Sequence, residues 1–144
     1  MSKYSMAADP LTSEEDLISL AYDVDYLVRV NVVGNPKAPK QALIILANDS
    51  DENVRVMVAC RPDSPVVAID VLSHDDSVYV RRNIAEHSGL AKEAVIRLSE
   101  DPDIIVRQRI AMRDDLPVNV RQRLMSDPSQ RVRRAAKKQG IRED

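Results

Sequence analysis

Ten residues in this sequence have the chemistry of a charge-pairing array. Arginine recurs at Arg29, Arg55, Arg81, Arg107 and Arg133, and aspartate at Asp23, Asp49, Asp75, Asp101 and Asp127, each series with a spacing of 26 residues. A row of guanidinium groups can follow a chain of phosphates. A guanidinium fork can equally hold a carboxylate or a pair of carbonyls in fixed geometry. Each of these arginines has an aspartate six residues before it. The pattern is therefore read as a structural ladder, in which each Arg ties down the acidic turn or the free carbonyls of its own or the adjacent segment.

Other reactive side chains are few. His74 and His87 are 13 residues apart, and His74 adjoins Asp75 and Asp76. That is the composition of a solvated turn rather than of a metal site. Cys60 is the single cysteine, which excludes a disulfide framework or a cysteine-based metal cluster within one chain. A Gly-rich phosphate loop is absent. No catalytic or metal-binding residue is assigned, and the expectation is a non-enzymatic protein without a cofactor.

Such a ladder needs elements that repeat with it. With Leu17 as position 1, the repeats are 17–42, 43–68, 69–94, 95–120 and 121–144, preceded by a half repeat at about 9–16. Position 4 is Leu in all five (Leu20, Leu46, Leu72, Leu98, Leu124), and Val precedes every ladder arginine. A fixed period of this length indicates stacked supersecondary units. Each repeat reads as two short helices. Helix A covers stretches such as Ala38 to Ala47, where Ala42, Leu43, Leu46 and Ala47 fall on one stripe. Helix B covers stretches such as Asn53 to Arg61, where Val54 and Val58 share a face. Pro39, Pro65 and Pro117 stand near helix starts, where a missing N–H costs little. Thr12-Ser13-Glu14-Glu15 has the pattern of a capping box. Acidic turns such as Asn48-Asp49-Ser50-Asp51 separate A from B and can cap the next helix. The expectation is an all-α, right-handed α-solenoid of about ten short helices, forming a single helical-repeat domain over 1–144.

Composition is consistent with thin, repeated layers. The 144 residues include no Trp, no Phe and four Tyr, so Val, Ile, Leu and Ala must build the core. The net charge of −2 conceals an asymmetry. Residues 1–80 hold six Lys/Arg against thirteen Asp/Glu, whereas residues 81–144 hold fifteen against ten. Differently charged surfaces on one chain can attract different partners. No run is apolar for the length a membrane span requires, and the N-terminal residues lack a signal-peptide core. A cytoplasmic location without membrane contact is expected.

The repeat has a familiar form. Leu43, Leu46, Ala47, Asp49, Asp51, Val54, Arg55, Val58 and Ala59, followed by Pro62 and Pro65, resemble the leucine-rich repeat variant family, a relative of the HEAT-like solenoids. Asn35-Pro36 and Pro39 hold the corresponding places one repeat earlier. The resemblance covers about residues 9–140. It implies a superhelix of alternating α-helices and shorter, sometimes 3₁₀, helices. It also implies a bias toward macromolecular binding, since the family shares no common activity. Some members carry a cysteine-bound iron–sulfur module; with Cys60 alone, no cofactor carries over. The 26-residue unit is slightly longer than the family's, so the second helix is expected to be α.

Function is then sought where the beat is not kept. Positions 14, 15 and 18, outward on helix B, are Val30, Asn31 and Gly34, then Val56, Met57 and Cys60 in the early repeats, and Arg82, Asn83 and Glu86, then Gln108, Arg109 and Met112, then Arg134, Ala135 and Lys138 in the later ones, so an apolar early part gives way to a basic late part. Val30, Val56, Met57, Arg82, Asn83, Gln108 and Arg109 are the candidate protein-binding residues, an apolar ridge passing into a polar one. The contact would be with a protein partner or a second copy of the chain. Arg121, Arg123, Arg131, Arg134, Lys137 and Lys138 form the most basic stretch and are candidates for nucleic-acid binding. The same charges also suit a solvated end cap. No aromatic residue is interleaved with them for base stacking. The leading expectation is a scaffold for protein–protein interaction, and the alternative is a nucleic-acid-binding solenoid.

Overall fold

The computed structural model describes residues 1–140. The last four residues of the fifth expected repeat, 141–144, lie outside the described residues. Two compact units divide the chain, Met1–Leu72 and Ser73–Asp144. The first contains α1 (Lys3–Ala8), α2 (Glu14–Leu20), α3 (Tyr26–Gly34), α4 (Lys40–Leu46), α5 (Glu52–Cys60) and α6 (Val66–Ser73), whose last residue crosses the boundary. The second contains α7 (Val78–Ile84), α8 (Lys92–Leu98), α9 (Ile104–Ala111), α10 (Val118–Leu124) and α11 (Gln130–Gly140). All the secondary structure among the described residues is α-helical, the second helix of each repeat included. No described helix is long and apolar enough to cross a membrane.

Helices of 6 to 11 residues are too short to persist alone in water, so burial must hold them. The A-type helices bury Leu17 and Leu20, then Ala42, Leu43 and Leu46, then Ala94, Val95 and Leu98, then Val120 and Leu124. The B-type helices bury the valine that precedes each ladder arginine, at Val28, Val54, Val80, Val106 and Val132, together with the residue four further on. In the first unit α3 packs against α1, α2, α4 and α5; in the second α9 packs against α7, α8, α10 and α11. Each unit is thus built around one central B-type helix.

Helix boundaries follow the caps. Ser13 Oγ accepts the Asp16 N–H at 3.2 Å and donates to the Asp16 carboxylate at 2.7 Å, so Ser13, rather than Thr12, opens α2. Asp25, Asp51, Ser77 and Asp103 cap α3, α5, α7 and α9 with side-chain oxygens. Pro39 and Pro117 occupy the cap positions of α4 and α10 without a side-chain bond. The helices α4 and α5 start and stop within two residues of the stretches expected from periodicity.

Helical structure begins earlier than expected. Helix α1 lies before the half repeat at 9–16 and packs on α3 as a B-type helix. Lys3 is 26 residues before Arg29 and Ala7 is 26 before Val33, and both alanine and valine are buried. A lysine in an arginine's place and an alanine in a valine's hid this copy.

Candidate functional site

The structure places the ladder residues in one recurring arrangement. Nη1 of Arg29, Arg55, Arg81, Arg107 and Arg133 donates to the carbonyl six residues back, at 2.7 to 2.9 Å. The same Nη1 also reaches the carbonyl five back. The ladder aspartates each accept the N–H two residues on, at 2.8 to 2.9 Å, which folds the turn between A and B. Within the units, the other edge of the guanidinium meets the aspartate of the next repeat. Arg29 pairs with Asp49 at 2.6 Å, Arg81 with Asp101 at 2.7 Å and Arg107 with Asp127 at 2.9 Å. Lys3 pairs with Asp23 at 2.7 Å and lowers that carboxyl below the usual range. Burial pushes Asp127 up, but the Arg107 fork, the Ser129 N–H and the Arg133 charge together hold it below its ordinary value.

A second ladder was not anticipated. Asn35 donates to the Ala7 and Asp9 carbonyls, both at 2.9 Å. Arg61 donates to Val33 and Asn35, and Arg113 to Ala85 and His87, at 2.6 to 3.0 Å. Each closes the exposed carbonyl end of the preceding B-type helix. The residue type changes from Asn to Arg along this ladder, so identity in register could not reveal it; the 26-residue spacing could.

The candidate protein-binding residues fall in both units. Val30 on α3 and Val56 and Met57 on α5 are half-buried rather than forming an exposed apolar ridge. Arg82 on α7 is engaged: its Nε and Nη2 donate to both oxygens of Asp103 at 3.0 and 2.8 Å, and it lies 5.6 Å from the Tyr79 ring centre. This fork, outweighing partial burial and aided by the Val106 N–H, lowers the Asp103 carboxyl to about 2. Asn83 donates to the Tyr79 carbonyl at 2.8 Å. Arg109 donates to the Arg82 carbonyl at 2.7 Å and faces Glu86 at 3.4 Å.

The six basic candidates also divide. Arg121 donates to the Ala136 and Arg113 carbonyls at 3.0 and 2.9 Å, which ties α10 to α11. Arg123 donates to Ser99 Oγ and pairs with Glu100 at 2.7 Å. Arg131, Arg134, Lys137 and Lys138 are exposed on α11 and have no polar partner among the described residues.

Three of these four line a groove of about 460 Å³ between α9 and α11. Arg131, Arg134 and Lys138 form its α11 wall, with buried Ala135 between them on the same helical stripe. Gln108 and Met112 form the α9 wall, and Gln130 joins at the α11 start. Met112 is 53% exposed there. One residue from the protein-binding set is thereby brought together with three from the basic set. Gln130 was not legible as a site residue, because it stands at a helix start outside the outward B positions. A neighbouring hollow of about 420 Å³ shares Met112 but is electrostatically mixed, with Glu86, Arg109, Arg113, Asp114 and Asp115 on its border. No group of three or more potential metal ligands occurs among the described residues.

Comparison with family models, with curated proteins and with solved structures returns no match for this chain.

Proposed function

We propose that this chain is a non-enzymatic helical-repeat scaffold, a right-handed α-solenoid of the leucine-rich repeat variant or HEAT-like type, that binds a protein partner through the groove between α9 and α11. One observation carries the reading: every ladder arginine is held by a carbonyl of its own turn, and a cluster of cations without partners among the described residues stands in that groove. Arg29, Arg81 and Arg107 each hold a carboxylate of the next repeat, whereas Arg131, Arg134 and Lys138 converge on a cleft with an apolar methionine wall. Exposed cations beside apolar surface attract anionic partners and orient them. The groove's polar groups are guanidinium, ammonium and amide, which hold an anion; none of them is a carboxylate or imidazole that would move a proton. Support for the solenoid is the repetition of one hydrogen-bonded turn at five successive Arg–Asp positions.

Site-specific photo-cross-linking tests this reading on the full chain. Met112→p-benzoylphenylalanine places the probe in the groove, and Val118→p-benzoylphenylalanine, at an exposed position at the start of α10, serves as the control. Cross-linked protein adducts are expected at Met112 only, and should disappear when Arg134→Glu and Lys138→Glu are added. Equal adducts at both positions, or none at Met112, would discard the groove as the binding site.

A further inference from the structure

Building on that reading, we infer that the groove takes a short extended acidic segment of a protein, with carboxylates and apolar side chains alternating. The two walls differ in chemistry. Arg131, Arg134 and Lys138 line one side, and Met112 stands on the other. In an extended chain successive side chains point to opposite sides, and those on the same side are about 6.6 Å apart. The cations lie about 4.5 and 6 Å apart along the helix axis, a mismatch their flexible stems absorb. Carboxylates at alternate positions therefore face α11, while the intervening apolar residues face Met112. Gln108 and Gln130 add amides that can both donate and accept. An extended backbone has free N–H and C=O groups to meet them, whereas a helix has already used its own.

Charge beyond the groove is mixed rather than uniformly basic. Glu86, Asp114 and Asp115 border the adjoining hollow, which shares Met112. A long polyanion leaving the groove on that side meets these carboxylates together with Arg109 and Arg113, a mixed surface without a continuous basic track. Nucleic acid is disfavoured further because no tyrosine lines the groove, and single strands gain affinity by stacking on aromatic rings.

The test is a fluorescence-anisotropy titration of the full chain with the labelled peptide Gly-Glu-Leu-Glu-Leu-Glu-Gly. Saturable binding is expected, weakening as salt rises. Arg134→Glu with Lys138→Glu should weaken it about tenfold or more, and Met112→Asp should weaken it at an unchanged thermal midpoint. The peptide with Lys in place of Glu should not bind. Should the double reversal unfold the chain, Arg134→Gln with Lys138→Gln serves the same purpose. Absence of peptide binding overturns the inference. So does tighter binding of duplex DNA or single-stranded RNA that is lost in the same variants, which would make a nucleic acid the occupant. Self-association in sedimentation that Arg134→Glu disperses also overturns it, by placing a second copy in the groove. Met112 cross-links persisting without peptide binding would refute the acidic partner alone and leave the binding site in place.

Discussion

Adjacent arginines in this protein perform different tasks. Arg81 spans two carbonyls of its own turn and the Asp101 carboxylate of the next, which is almost wholly buried. Truncating it removes the guanidinium fork from that carboxylate, so Arg81→Ala should cost about 1–3 kcal/mol in urea unfolding, as loss of a charged hydrogen-bond partner does. Arg134→Ala, exposed and without a polar partner among the described residues, should stay within about 0.5 kcal/mol. Equal costs would contradict the division of labour. Arg82, one residue beyond Arg81, holds Asp103 at about 2, below its ordinary value of 3.8. A depressed carboxyl contributes stability above its unfolded value and loses it as pH falls through the folded value. Thermal midpoints of the native chain and of Asp103→Asn should therefore differ above about pH 4 and converge toward about pH 2. A difference unchanged over that range would show that the Arg82 fork does not set the Asp103 charge. Composition could not reveal this pair, since the two residues are 21 apart and outside the ladder positions.

At the level of elements, burial explains what was legible and what was not. The positions of α4 and α5 could be read closely because Leu43, Leu46, Val54 and Val58 are buried and recur in register. Leu98, 2% exposed, holds the position of Leu46 two 26-residue periods later, and Leu98→Ala should destabilise by about 2–5 kcal/mol in chemical denaturation; a loss below about 1 kcal/mol would mean that the layer tolerates a void. Helix α1 is not legible from residue identity because its register is kept by burial and charge, through Ala7 and Lys3. Its attachment rests on Asn35, 1% exposed, whose amide caps two carbonyls near the α1 end. Asn35→Ala should cost about 1–3 kcal/mol and raise amide exchange in α1 ahead of α4. Uniform exchange across the first unit would refute that anchoring role.

For the whole molecule, the charge asymmetry visible in the sequence is resolved into paired and unpaired groups. Of the residues chosen for their outward positions, Arg82 and Arg109 are spent on contacts between helices, and Val30, Val56 and Met57 are half-buried. The charge on α11 that has no partner among the described residues was legible as a basic stretch, but its convergence with Gln108 and Met112 depends on how α9 packs against α11, which no local pattern encodes. On the proposed function, residues keeping the 26-residue beat hold the fold, and those departing from it on α11 bind. Arg133 and Arg134 test it side by side, since Arg133 Nη1 donates to the Asp127 and Pro128 carbonyls while Arg134 lines the groove. The decisive measurement is the thermal midpoint and the Met112 cross-linking yield of Arg133→Ala and Arg134→Ala. Arg133→Ala should lower the midpoint and retain the cross-link, and Arg134→Ala should keep the midpoint and lose the cross-link; the reverse pattern, or equal effects of the two, would contradict the account.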